Sequence, residues 1–120
     1  MKTKKNIENL SKLILKILTD NKAKNVIEIS LKNKSNIADY MIVCSGTSNR
    51  HIISLSNYVY DNLKKLNLKT LSIEGKKGGD WIVIDSGDII IHFFREEVRE
   101  YYNLEKMWNE DMHENLKVST

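Results

Sequence analysis

The chain of 120 residues has no proline, a single cysteine and only five glycines. Without proline, and with so little glycine, long linkers and low-complexity tracts are not expected. The lone Cys44 excludes an intrachain disulfide and suits a reducing compartment, the cytoplasm. No apolar run approaches the roughly 20 residues of a membrane span. The start, MKTKKNIENL, is basic, but Asn, Ser and Lys interrupt the apolar residues after it, which does not fit a secretory signal. His51, His92 and His113 lie far apart in sequence, and Cys44 has no cysteine partner. The chain therefore offers no clustered metal ligands and calls for no cofactor. Neither common phosphate-binding glycine spacing occurs, because no helix follows the glycines of GKKGGD.

What is present fits one globular domain, with 41% hydrophobic and 29% charged residues. The net charge of +3 hides a division. Residues 1–36 carry nine lysines and three acids, whereas residues 74–114 carry five basic and eleven acidic residues. Trp81, Tyr101, Tyr102 and Trp108 all lie in the acidic half. A nucleic-acid binder keeps its aromatics among arginines and lysines, so sequence-specific nucleic-acid binding is not expected. A basic partner for the acidic half is one reading. Two solvated helix faces of opposite sign are the other.

Residues 6–21 have the spacing of an amphipathic helix, with Ile7, Leu10, Ile14, Ile17 and Leu18 in its stripe and Leu13 and Leu15 widening it. Residues 25–31 alternate as a half-exposed strand. YMIVC, residues 40–44, reads as a strand buried on both faces. SGTSNRH turns it into a helix capped by Thr47 or Ser48, with a buried stripe of Ile52, Leu55, Val59, Leu63 and Leu66. Residues 70–74 form the next strand, parallel to the strand before the helix. GKKGG connects it to a hairpin over residues 81–94, with Ser86-Gly87 as a two-residue turn. A helix follows. These elements predict an α/β domain with a mixed five-stranded sheet and about three helices, the strands taken in chain order.

That turn sets the expected register. Ile84 faces Ile89 and Ile82 faces Ile91 on an aliphatic side that packs on helices. Trp81 faces His92, and Val83 faces Ile90, on a second side that also carries Asp85. This second side is the candidate partner-binding face. A second helical layer, with Trp81 an ordinary core residue, is the alternative.

CSGTS places backbone N–H groups and hydroxyls at a helix N-terminus, as nucleotidyltransferases do. Such enzymes also need paired carboxylates to hold magnesium. Residues 70–74 offer only Glu74 and residues 81–85 only Asp85, so helix capping is the better account of Thr47 and Ser48. A nucleotidyltransferase-like enzyme using the turn at 45–51 remains the rival reading.

ADYMIVCSGTSNRH and EGKKGGDWIVIDSGDIIIHFFREEVREYYNLEKMW together resemble the ribosomal silencing factor family. The match covers nearly all of residues 5–108, with its motifs in the expected order. Residues 1–108 are thus expected to be the domain, and residues 109–120 a frayed tail. The resemblance implies a nucleotidyltransferase-like core without its catalytic carboxylates, and no enzymatic activity. It implies a cytoplasmic translation repressor that binds the large ribosomal subunit through its fourteenth protein. There it obstructs docking of the small subunit when nutrients are scarce. It also implies a homodimer when free. The carried-over contact region centres on Trp81 and Asp80. With the acidic and aromatic residues around them, the expected partner-binding set is Asp80, Trp81, Asp85, His92 and Glu97.

Overall fold

A computed structural model of the chain describes residues 4–33, 36 and 38–98. The elements are α1 (Lys4–Asp20), β1 (Lys24–Ser30), β2 (Tyr40–Gly46), α2 (Asn49–Lys64), β3 (Ser72–Glu74), β4 (Trp81–Asp85) and β5 (Ile89–Arg95). Residues 96–98 are helical. The expected continuation of that helix, and the tail at 109–120, lie outside the described residues.

The five strands form one mixed sheet, but not in chain order. The order is β1-β2-β5-β4-β3. β2 and β5 run parallel, and the other three neighbouring pairs are antiparallel. β2 and β3, on either side of α2, are parallel as expected, with β5 and β4 between them. The reason lies in the strands themselves. β5, IIIHFFR, is long and apolar and pairs with β2 from Tyr40↔Ile89 to Gly46↔Arg95. Such a strand gains most in the middle of a sheet, where both faces are covered. β3 is three residues long, with Ser72 and Glu74 exposed, and suits an edge.

The hairpin turn also differs from expectation. Asp85 pairs with Ile90, so the two central residues are Gly87 and Asp88 rather than Ser86 and Gly87. Ser86 N–H donates to the Ile89 carbonyl at 3.0 Å. Gly87, at φ 94°, takes the first central position, where a positive φ is needed and a serine would be strained. Moving the turn by one residue moves the register by two. Trp81 therefore faces Phe94, and Val83 faces His92. A shift of two preserves the faces, so Ile82, Ile84, Ile89 and Ile91 still share one side and are fully buried.

That side is the main core. Ile14 and Leu18 of α1 join Ile52, Leu55, Val59 and Leu63 of α2 over Ile42, Cys44, Ile82, Ile91 and Phe93. Two leucines expected in these helical stripes are not buried. Leu13 is 36% exposed and Leu66 is 48% exposed. Leu13 lies off the α1 seam, and Leu66 falls beyond the Lys65 C-cap, where the helical spacing has ended. The opposite side of the sheet has a smaller cluster of Ile29, Leu31, Met41, Val43 and Phe94, to which neither α1 nor α2 contributes. Trp81, Ile90 and Val98 pack against it, partly buried.

Candidate functional site

β4 and β5 bring three rings together on this second side. The Trp81 indole stacks on Phe94 with centroids 4.8 Å apart, and His92 lies 5.8 Å from the indole. His92 and Phe94 are stacked with nearly parallel rings, at 12° and 5.9 Å. Trp81 Nε1–H donates to His92 Nδ1 at 2.9 Å. An indole N–H only donates, so Nδ1 must be the unprotonated nitrogen and the neutral imidazole carries its proton on Nε2. Burial pushes the His92 pKa down from 6.5 to about 4, which keeps the ring neutral at physiological pH. Trp81 is thus held in one orientation by a stack and a hydrogen bond, and it is neither sealed in the core nor free.

Backbone geometry holds it too. Gly75 sits at φ 90°, and a Cβ there would lie 2.2 Å from the Trp81 carbonyl oxygen. Only glycine allows the loop to approach the start of β4 so closely. Gly79 N–H closes the loop on the Gly75 carbonyl at 3.1 Å, and Asn49 Nδ2–H donates to the Gly78 carbonyl at 3.2 Å. GKKGG, expected only to connect the two strands, is a bonded turn that fixes where β4 begins.

The acidic residues divide. Asp80 Oδ1 accepts from Arg95 Nε at 2.9 Å, and Glu97 Oε2 accepts from Arg95 Nη1 at 3.4 Å. Asp80, Trp81, His92 and Glu97 therefore gather at one end of β4 and β5. Asp85 stands apart, four residues along β4 or roughly 13 Å. Its carboxylate accepts from the Gly87 N–H at 2.8 Å and builds the turn. Sequence reasoning missed Phe94 and Arg95. Phe94 was within reach, since it lies two residues after His92 on the same face. Arg95 was hidden by reading the acidic half as a net charge rather than as pairs.

The turn at 45–51 is occupied by its own groups. Ser48 caps α2 by accepting from the His51 N–H at 3.1 Å. Thr47 N–H donates to His51 Nδ1 at 3.0 Å, and His51 Nε2 meets the Asn21 carbonyl at 3.1 Å. The described residues contain no group of three His, Cys, Asp or Glu placed to hold a metal ion. No described helix is long and apolar enough to cross a membrane.

A family profile described as ribosomal silencing factor during starvation matches residues 4–120. The chain belongs to this family, RsfS. It is 45% identical over 101 residues to the ribosomal silencing factor RsfS of Zymomonas mobilis, covering 84% of this chain and 76% of that one. A crystal structure of a Chromobacterium violaceum protein matches with a TM-score of 0.81 at 35% identity, covering 85% of each chain. A mouse relative called mitochondrial assembly of ribosomal large subunit protein 1 is 32% identical over 99 residues, which are 80% of this chain and 43% of the mouse protein. Membership of RsfS makes this a regulator of translation.

Proposed function

We propose that this RsfS-family chain represses translation by binding the large ribosomal subunit through its fourteenth protein and keeping the small subunit from joining. It works by occupancy rather than by chemistry, in the cytoplasm, when nutrients are scarce. When free it pairs with a second copy of itself. The observation that carries this reading is Trp81. It is a large aromatic residue at the margin of an apolar cluster, locked by Phe94 and His92 and flanked by carboxylates. A pre-ordered tryptophan is what an interface anchor needs, because its ordering cost is met before the partner arrives. Ribosomal proteins are basic because they neutralise RNA phosphate, so an acidic flank suits such a partner. The mouse relative's name, which refers to the large subunit, points the same way.

Co-sedimentation with separated ribosomal subunits tests the proposal. The protein should travel with the large subunit alone. Trp81→Ala should weaken that binding by about 2 kcal/mol or more, roughly thirtyfold in affinity. Association with neither subunit would reject the proposal. Unchanged binding by a folded Trp81→Ala variant would remove Trp81 as the anchor.

A further inference from the structure

Trp81 uses its only side-chain donor inside the molecule, on His92 Nδ1. That bond hands the role of donor to His92, because the neutral ring then carries its proton on Nε2. Among the described residues nothing accepts from Nε2–H, and the atom is not sealed away from water. The imidazole is half-buried, so this donor is open to a partner on the Trp81 face. Its neighbours there are apolar. Val43 and Val83 stand on either side of His92 on the same rung, and Ile90 lies two residues along β5 on the same face. Val83 and Ile90 are half-buried as the imidazole is.

We propose that His92 Nε2–H donates to a neutral oxygen of the partner protein, and that it discriminates against partners without one. The proposal rests on the Trp81 face being the ribosome-binding surface. A partner that covers the indole also covers the imidazole, because the two ring centroids are 5.8 Å apart. Covering strips water from Nε2–H. With no acceptor in its place the donor is buried unpaired, which weakens affinity about tenfold or more. A matched acceptor removes that cost, so the group rejects wrong partners more than it attracts the right one. The acceptor must also be uncharged. Lysine and arginine side chains have no acceptor to offer. A carboxylate or a phosphate would meet the exposed Glu74, opposite Val83 on the His92 rung, and Asp80 and Glu97 at the Trp81 end. Arg95 does not reverse this, because both of those carboxylates already engage it. A backbone carbonyl, or the oxygen of an amide or hydroxyl side chain, meets both conditions.

Two substitutions separate the ring nitrogens. His92→Asn sets an amide oxygen where Nδ1 lies, so it keeps an acceptor for the indole and has no group at Nε2. His92→Gln is longer, and its oxygen and N–H have about the spacing of the two nitrogens, so it keeps both the acceptor and the outward donor. In co-sedimentation with large subunits, His92→Asn should bind about tenfold more weakly or worse. His92→Gln should stay within about threefold of wild type. Thermal unfolding establishes that each variant is folded. Nuclear magnetic resonance of the wild type, with the isolated fourteenth large-subunit protein as probe, reads the donor directly. The Nε2–H proton should exchange rapidly with water in the free protein and become a protected signal in the complex. Wild type that travels with neither subunit would reject the ribosomal reading and this proposal with it. If wild type binds, this proposal alone is overturned by undiminished binding of His92→Asn, by equal weakening in both variants, or by an Nε2–H that stays unprotected in the complex.

Discussion

His92 gives this fold a defined response to acid. Its pKa falls from 6.5 in the unfolded chain to about 4 in the folded one, because burial disfavours the imidazolium. Between those values the unfolded chain binds more protons than the folded chain. The stabilisation is therefore complete above about pH 6.5 and is lost as the pH falls toward 4. At about 1.4 kcal/mol per unit, the total is about 3 kcal/mol, and about 2 kcal/mol of it is lost between pH 7 and 4.5. These are upper values, since the ring keeps some contact with water. Protonation also sets an N–H against the Trp81 N–H, so the hydrogen bond that orients the indole is lost with the stability. His92→Gln removes the titration and keeps an oxygen that can accept from the indole. Urea unfolding of both proteins at pH 7 and 4.5 measures the effect as a difference of differences, in which carboxylates common to both cancel. Wild type should lose about 2 kcal/mol more than the variant. Equal losses would show that His92 titrates in the folded chain as it does in the unfolded one, and would refute burial as the cause of a lowered pKa.

Ser48→Ala removes the acceptor at the start of α2 and should cost about 1 kcal/mol in urea unfolding, with large-subunit binding retained by the folded variant. Gly75→Ala drives a Cβ into the Trp81 carbonyl at a left-handed φ. It should destabilise by about 2 kcal/mol or more and weaken subunit binding in co-sedimentation. Neutralising Asp80 and Glu97 with Asn and Gln should slow association and flatten its salt dependence in stopped-flow binding, with the dissociation rate little changed. Asp85→Asn, which acts at the turn, should leave that salt dependence as it is.

Most of the fold is legible in the residue pattern because each helix and strand declares its own period. Ile14, Leu18, Ile52, Leu55, Val59 and Leu63 repeat at helical spacing and are buried. The isoleucines of the hairpin alternate, and their face survives even a misplaced turn. Strand order is different in kind. It depends on competition between strands for the centre of the sheet, and β5 wins that place through length and apolarity that only comparison with β3 reveals. The site was half legible. Alternation put Trp81 and His92 on one face, but their bond is diagonal rather than across a rung. Nothing local in GKKGG says that Gly75 lies under the Trp81 carbonyl, because that contact exists only once β4 is placed. Leu13 and Leu66 continue the pattern of their helices beyond the surface those helices share, so periodicity alone counts them as core.

The pairing of Arg95 changes what holds a partner to the Trp81 face. An acidic half with a balance of −6 over residues 74–114 suggests affinity through charge. At the site itself, however, Asp80 and Glu97 share one guanidinium, which leaves about one net negative charge there. Exposed ion pairs of this kind are worth about 1 kcal/mol or less, and salt screens them further. Trp81 is already partly buried, so a partner covers only what remains of its roughly 250 Å², which is still worth about 1–2 kcal/mol at about 25 cal/mol per Å². The indole therefore dominates the lifetime of the complex, and the carboxylates act chiefly on the approach. Arg95 contributes by holding the two carboxylates at the end of β4 and β5 where Trp81 lies. A partner cation that reaches them competes with Arg95 rather than meeting bare charge, so charge selects the partner and the covered ring retains it.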